Sequence, residues 1–368
     1  MQKLTGLERI LKAIRLEEPD VVPHFDWVDR KVRDAITQNP SASYEDFIDY
    51  LDIDGILISD RTYTWSYEPV GFSKSGRQLK RCQWGAIIQF TTEATGIPIE
   101  PAIKSERDLD TYIPPDPNLP FRYEWLKELV KKFKGQRAII VSCTDIFDVA
   151  KGNLLGDMQY YKLMVKNPSF IDAVNKIALD YQLQYVTNCI DIGADIVFVN
   201  GDWAMTQGPM VSRKFTERYI APPFQKIVQY AHSRGIPVIK HTDGNIWPIY
   251  DIIINMGADG IHPIDPMAGM DIGEAKAKFG DKICLLGNVS CAFSLVSGTV
   301  DGVRQETKEV IRKAGKGGGL ICMSSNSIHS AVRPENYVAM VETIREFGRY
   351  PLEDHLDNLV VAGSGKWS

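Results

Sequence analysis

Ile236-Pro-Val-Ile-Lys-His-Thr-Asp-Gly-Asn245 reads as one buried strand whose last residues carry chemistry. Ile236, Val238 and Ile239 are apolar and β-branched, which suits a pleated, buried backbone. His241, Asp243 and Asn245 then arrive within five residues, and Gly244 lets the backbone turn tightly among them. An apolar run with a polar cluster at its carboxyl end is how a barrel strand delivers side chains to a site.

Seven more runs of this kind can be read outward from it. Val21–Trp27, Asp54–Asp60, Arg137–Cys143 and Gly193–Asn200 precede it. Gly257–Pro263, Lys282–Asn288 and Gly319–Ser324 follow. Helical stripes separate them. Thr5 and Glu8 make a capping box ahead of Leu7, Ile10, Leu11 and Ile14. Ser169 and Asp172 are read as the cap of a long helix, Asp271 and Glu274 as the cap of one that Gly280 stops, and Pro334 as the opening of the last. Eight strands alternating with helices predict an α/β fold, a (β/α)8 TIM-type barrel spanning residues 1–368 as one domain. Residues 61–117 break the rhythm with short β-like runs and turn signals. They are read as a β-hairpin insertion after the second strand, lying over the barrel mouth. Its aromatics, Tyr63, Trp65, Tyr67 and Trp84, either line a pocket or form the insertion's own core.

Net charge is −5 over 368 residues, so no nucleic-acid footprint is expected. No apolar run approaches the roughly 20 residues of a membrane span. The opening Met1–Thr5 lacks a signal-peptide pattern, and none of the six cysteines forms a C-x-x-C pair. A cytoplasmic protein with reduced thiols is the expectation.

A closed barrel would gather His24, Asp26, Asp60, Asp145, Asp148, Asp202, His241, Asp243, His262, Asn288 and Asn326 at its mouth. Polar strand ends are expected on any barrel, and His262, ahead of a proline, is read equally as a structural histidine. His241 with Asp243 is the sharper case, because three polar groups in five residues of buried strand need partners. Three readings stand: half of a divalent-metal site, a histidine oriented as general acid or base, or a histidine bonded to a backbone carbonyl. Gly315-Lys-Gly-Gly-Gly319 precedes a strand rather than a helix and is read as a loop, not a phosphate cradle.

The chain resembles the uroporphyrinogen decarboxylase superfamily over nearly its whole length. The carriers are Thr5-Gly-Leu-Glu-Arg-Ile10 with Val22-Pro23, Leu57-Ile-Ser-Asp60, and Gln207-Gly-Pro209 with Ser212 and Pro222. His241-Thr-Asp-Gly-Asn245, Gly260-Ile-His-Pro263, Gly287-Asn288 and Arg333-Pro-Glu-Asn336 complete the set. The resemblance implies a distorted (β/α)8 barrel and one of two activities. True decarboxylases act on a porphyrinogen without a cofactor and use an aspartate after the second strand, matched here by Asp60. The other branch moves methyl groups to or from a corrinoid on a partner protein, with zinc held by a His-x-Cys pair and a late cysteine.

This chain departs from both patterns. The arginine motif of the decarboxylases is replaced by His24-Phe-Asp-Trp-Val-Asp-Arg30, the family's tyrosine by Asp148, and its late histidine by Asn326. In the methyltransferase pattern His241 is kept, Asp243 stands for the cysteine, and Asn326 falls near the late one. A metal here would need oxygen ligands, with Asp202, Asp243 and Glu217 as candidates. The reading is a methyltransferase that demethylates a small methoxylated or methylated, aromatic substrate onto a partner's corrinoid. In it His241, Asp243 and Asp60 are catalytic, and His241 with Asp243 holds a divalent metal such as zinc. His24, Asp26, Trp27, Tyr63, Trp65, Asp148, Asp202, Trp203, Asn245, His262, Asn288 and Asn326 bind substrate. The alternatives are a cofactor-free decarboxylase and a non-catalytic small-molecule-binding barrel.

Overall fold

The computed structural model describes residues 3–59, 67–90 and 96–352. Asp60, Tyr63 and Trp65 lie outside them. The chain clusters into two compact units, one of Met1–Ile56, Gly135–Arg137 and Pro263–Ser368, the other of Leu57–Lys134 and Ala138–His262.

An α/β fold with a parallel sheet of seven strands is the result, and the strands follow in chain order. β6 (Ala138–Thr144), β7 (Ile196–Asn200), β10 (Val238–His241) and β11 (Gly260–His262) lie in the second unit, β12 (Cys284–Val289) and β13 (Leu320–Ser324) in the first, and the division falls within β1 (Gly55–Ser59), after Ile56. Pairing is parallel from β6 to β7, β7 to β10, β10 to β11 and β12 to β13. These strands are almost wholly buried, as expected of a parallel sheet whose two faces are both covered.

Val21–Trp27, read as the first of eight strands, is not a strand but occupies a strand's position within the first unit. The Cys322 N–H donates to the Pro23 carbonyl at 3.0 Å, and the Asp54 N–H donates to the His24 carbonyl at 3.0 Å. The segment therefore bridges the last strand and the residue that precedes β1. No ladder forms because Pro23 has no N–H to give, while the His24 N–H goes to the Asp54 carboxylate at 2.9 Å.

Between β1 and β6 the second unit holds a four-stranded antiparallel sheet, larger than a hairpin: β2 (Glu68–Phe72), β3 (Gln78–Arg81), β4 (Ile87–Gln89) and β5 (Ile97–Glu100); β8 (Ala204–Met205) and β9 (Gly208–Pro209) form a short antiparallel pair after β7. Trp84 is buried there and packs edge-on against Tyr181.

The capping box at Thr5 and Glu8 forms, and Asp271 caps Ile272–Phe279. The helix Pro168–Ile192 is capped by Asn167, which accepts from the Phe170 N–H, rather than by Ser169. Pro168 at the first helical position leaves Asn167 as the last residue free to take the extended conformation a cap requires. Gly317, Gly318 and Gly319 form a loop with positive φ, as read. No helix among the described residues is long and apolar enough to cross a membrane.

Candidate active site

The carboxyl ends of β7, β10 and β11 meet in register, His241 beside Asn200 on one flank and His262 on the other. Asp202 follows β7 by two residues, and Asp243 follows β10 by two. Gly201 permits the first turn, because a Cβ there would meet the Asp145 Cβ at 2.4 Å. Gly244 permits the second, with φ of +90° and the Ala204 backbone 2.7 Å from where a Cβ would sit.

The arrangement brings Asp202, His241 and Asp243 together. The His241 Nε2 lies 3.8 Å from the Asp202 Oδ1 and 3.7 Å from the Asp243 Oδ1. The Asp243 N–H donates to the Asp202 Oδ1 at 2.8 Å, which locks the two loops to each other. One ligand atom from each of the three residues falls within 4.8 Å of the others, spacing that a metal ion could bridge. The opposite edge of the imidazole is spoken for: the His241 and His262 Nδ1 atoms are 2.7 Å apart, so one donates to the other. Phe198 flanks both rings. Burial, and then the neighbouring Lys240 ammonium, push His241 down to about 3, so the ring is neutral at pH 7.

Beneath the trio lies a fully enclosed support. Lys240 and Asp145 are both about 1% exposed or less and pair at 2.9 Å. The Lys240 ammonium also donates to the Gly201 carbonyl at 2.6 Å and the His241 carbonyl at 2.7 Å. The Trp203 indole N–H donates to Asp145 at 3.0 Å, and its backbone N–H donates to the Thr242 hydroxyl. Trp203 is therefore a buried brace, not an exposed wall for substrate. Asp148 accepts from the Asp202 N–H and pairs with Lys151 at 2.8 Å. Its carboxyl is raised, by burial first, with Lys151 opposing.

Asn245 is half-buried and accepts from the Trp247 N–H. His24 and Asp26 sit in a closed network of the first unit with Ser324 and Tyr337. In the same unit the Asn288 amide donates to the Ile264 carbonyl, and Asn326 accepts from the Ser327 N–H. Trp27 is 41% exposed. Glu217 is paired with Arg213 and is not in the group with metal spacing. Lys240 was not singled out from sequence. Its signal was there, a lysine inside an otherwise apolar strand, which must find a partner when buried.

The uroporphyrinogen decarboxylase (URO-D) family model matches residues 83–347. The chain is 25% identical over 266 residues to a uroporphyrinogen decarboxylase of Psychromonas ingrahamii, covering 70% of this chain and 73% of that one. It is 24% identical over 259 residues to the Vibrio cholerae enzyme of that name, covering 68% and 71%. The solved structure of a methyltransferase from Methanosarcina mazei superposes with a TM-score of 0.72 at 19% identity, over 94% of this chain and 99% of that one, which establishes a shared fold. A family model spanning most of the sequence settles the affiliation: the chain belongs to the uroporphyrinogen decarboxylase family.

Proposed function

We propose that the protein is an enzyme of the methyl-transferring kind, removing the methyl group of a small methoxylated aromatic substrate and passing it to a corrinoid on a partner protein. The observation that carries this reading is the charge at the strand ends. Two carboxylates face a neutral imidazole, and the two nearby ammonium groups are already engaged, Lys240 with Asp145 and Lys151 with Asp148. A porphyrinogen bearing many carboxylates needs cationic clamps. Among the described residues of this cluster none remains to serve as one, so a substrate without negative charge suits it better.

In such a transfer the methyl carbon forms its new bond to the nucleophile while the carbon–oxygen bond breaks, and both electrons of that bond stay on oxygen. The corrinoid would supply the nucleophile. The chain's part is to hold the methoxy group, shield it from water and meet the charge that develops on oxygen. His241, Asp202 and Asp243 are placed for the last task. A divalent cation held by them would supply the positive charge that two carboxylates and a neutral ring lack.

The names of the curated relatives support the competing reading, decarboxylation of a porphyrinogen. One experiment decides between them: the purified protein is given methoxyarenes with a reduced cobalamin acceptor, and separately uroporphyrinogen. Methylated cobalamin and a free phenol are expected, with His241→Asn lowering kcat/KM by about 10²-fold or more. Porphyrinogen turnover without a corrinoid would replace this reading with the other.

A further inference from the structure

We propose that Asp202, His241 and Asp243 form a divalent-cation site of one imidazole and two carboxylates, free of sulfur, with His262 fixing the ring that binds. Only the ion's catalytic use rests on the methyl-transfer reading; its binding does not. The family resemblance implies zinc held by thiolates, and the donor set does not fit it. Five of the six cysteines are buried, Cys82 is half-buried, and none belongs to the group with metal spacing. Oxygen donors favour ions of the Mn²⁺ and Mg²⁺ kind, and one imidazole extends the range toward Fe²⁺ and Co²⁺.

Geometry and charge both point to an ion. Donors about 2.1 Å from a six-coordinate ion stand about 3.0 Å apart when adjacent and about 4.2 Å apart when opposite. The Nε2–oxygen separations of 3.7 and 3.8 Å lie between those two values, so closing each by about 0.7 Å brings the ring nitrogen adjacent to both oxygens. They are also too long for hydrogen bonds, although a ring N–H facing two carboxylates would close to about 2.8 Å. A lone pair on Nε2 accounts for the gap. That places the ring hydrogen on Nδ1, donated to the His262 Nδ1 at 2.7 Å. The imidazole is nine-tenths buried, and its Nε2 faces one oxygen of each carboxylate. A divalent cation balances the two carboxylates and takes the lone pair. His262 is then a positioning residue: its nitrogen accepts the hydrogen that sets the tautomer, as outer-sphere partners of metal-bound histidines do.

The test uses the full chain, stripped of metal, titrated with MnCl₂ and followed by the electron paramagnetic resonance of free Mn²⁺. One Mn²⁺ per chain is expected. The Asp202→Asn/Asp243→Asn pair should weaken binding about 100-fold or more while circular dichroism stays unchanged. His262→Phe should weaken it 10–100-fold, and His262→Asn, whose amide oxygen can accept in place of the ring nitrogen, should restore part of the loss. Co²⁺ in the site should absorb weakly in the visible, without the sulfur-to-cobalt charge-transfer band of a thiolate ligand. Absence of stoichiometric binding, binding indifferent to the paired substitution, or a strong sulfur band would each overturn the site. Methyl transfer without a stoichiometric ion sinks the site and leaves the activity standing. A bound ion without methyl transfer does the reverse.

Discussion

His24-Phe-Asp26 and His241-Thr-Asp243 share one spacing, and the fold uses them in opposite ways. In the first unit the His24 Nδ1–H donates to the Cys322 carbonyl at 2.9 Å, and its Nε2 accepts from the Tyr337 hydroxyl at 3.0 Å. Asp26 is 2% exposed and takes the Ser324 hydroxyl at 2.6 Å, and burial pushes its carboxyl well up. Both ring nitrogens of His24 are spent inside the protein. In the second unit His241 spends one nitrogen on His262 and turns the other toward two carboxylates whose side chains are about a third exposed. A closed network holds a fold, whereas one left open at a single nitrogen can hold a ligand. The neighbouring segments make the difference: β13 brings Ser324 to Asp26 and the last helix brings Tyr337 to His24, while β7 and β11 bring Asp202 and His262 to His241.

The largest effect that would sharpen this contrast lies under the His24 segment. Asp54 is fully buried, accepts the His24 N–H, and pairs with Arg9 at 2.9 Å and Arg345 at 3.1 Å. Asp54→Ala takes the buried carboxylate from both guanidinium groups, leaving Arg9 only Asp20, and should cost about 3–5 kcal/mol in urea unfolding. A loss under 1 kcal/mol would mean that the closed region is not held by these contacts. Tyr337→Phe comes next. It deprives the His24 Nε2 of its donor in a site with no water access and should cost about 1–3 kcal/mol.

The same region predicts a pH dependence. Burial, aided by Arg345, holds His24 near 3, below an unfolded value near 6.5. The unfolded chain therefore takes up this proton first as pH falls. The stability that neutral His24 contributes is whole above pH 6.5, declines below it and is gone near pH 3. The slope from this one group is at most about 1.4 kcal/mol per pH unit. His24→Asn, compared with the parent between pH 6 and 4, should unfold with a curve shallower by that amount. Equal slopes would show that the ring is charged, or solvated, in the folded state.

Much of the architecture was legible in the sequence, because a buried parallel strand is a short apolar run ending in polar residues. That pattern located all seven strands of the sheet. It overcounted at Val21–Trp27, where apolar character marks a segment that packs like a strand without pairing like one, Pro23 having removed the donor. The trio was half legible. His241 and Asp243 are neighbours in sequence, and Asp202 was one of three oxygen-ligand candidates, which laying β7 beside β10 selects over Glu217. The pairing of His241 with His262 depends on register, which spacing does not encode. Lys240 was overlooked because the run around it is otherwise apolar, and its role needed the buried Asp145 from another strand.

The smallest expected effect tests the comparison hardest. Asp202 carries structural contacts of its own, since its Oδ1 accepts the Asp243 N–H at 2.8 Å. In Asp202→Asn the amide oxygen can keep that bond, while one of two facing negative charges disappears. The side chain is 38% exposed, so the relief is screened, and stability without added metal should stay within about 0.5 kcal/mol of the parent, shifted if anything upward. Sites built for ligands commonly gain stability when a charge is removed, because the charges were placed for the ligand rather than for the fold. If Asp202→Asn instead cost as much as Tyr337→Phe, the carboxylates around His241 would be doing the work of Ser324 and Tyr337 around His24. The open end of the second network would then have no function to explain it.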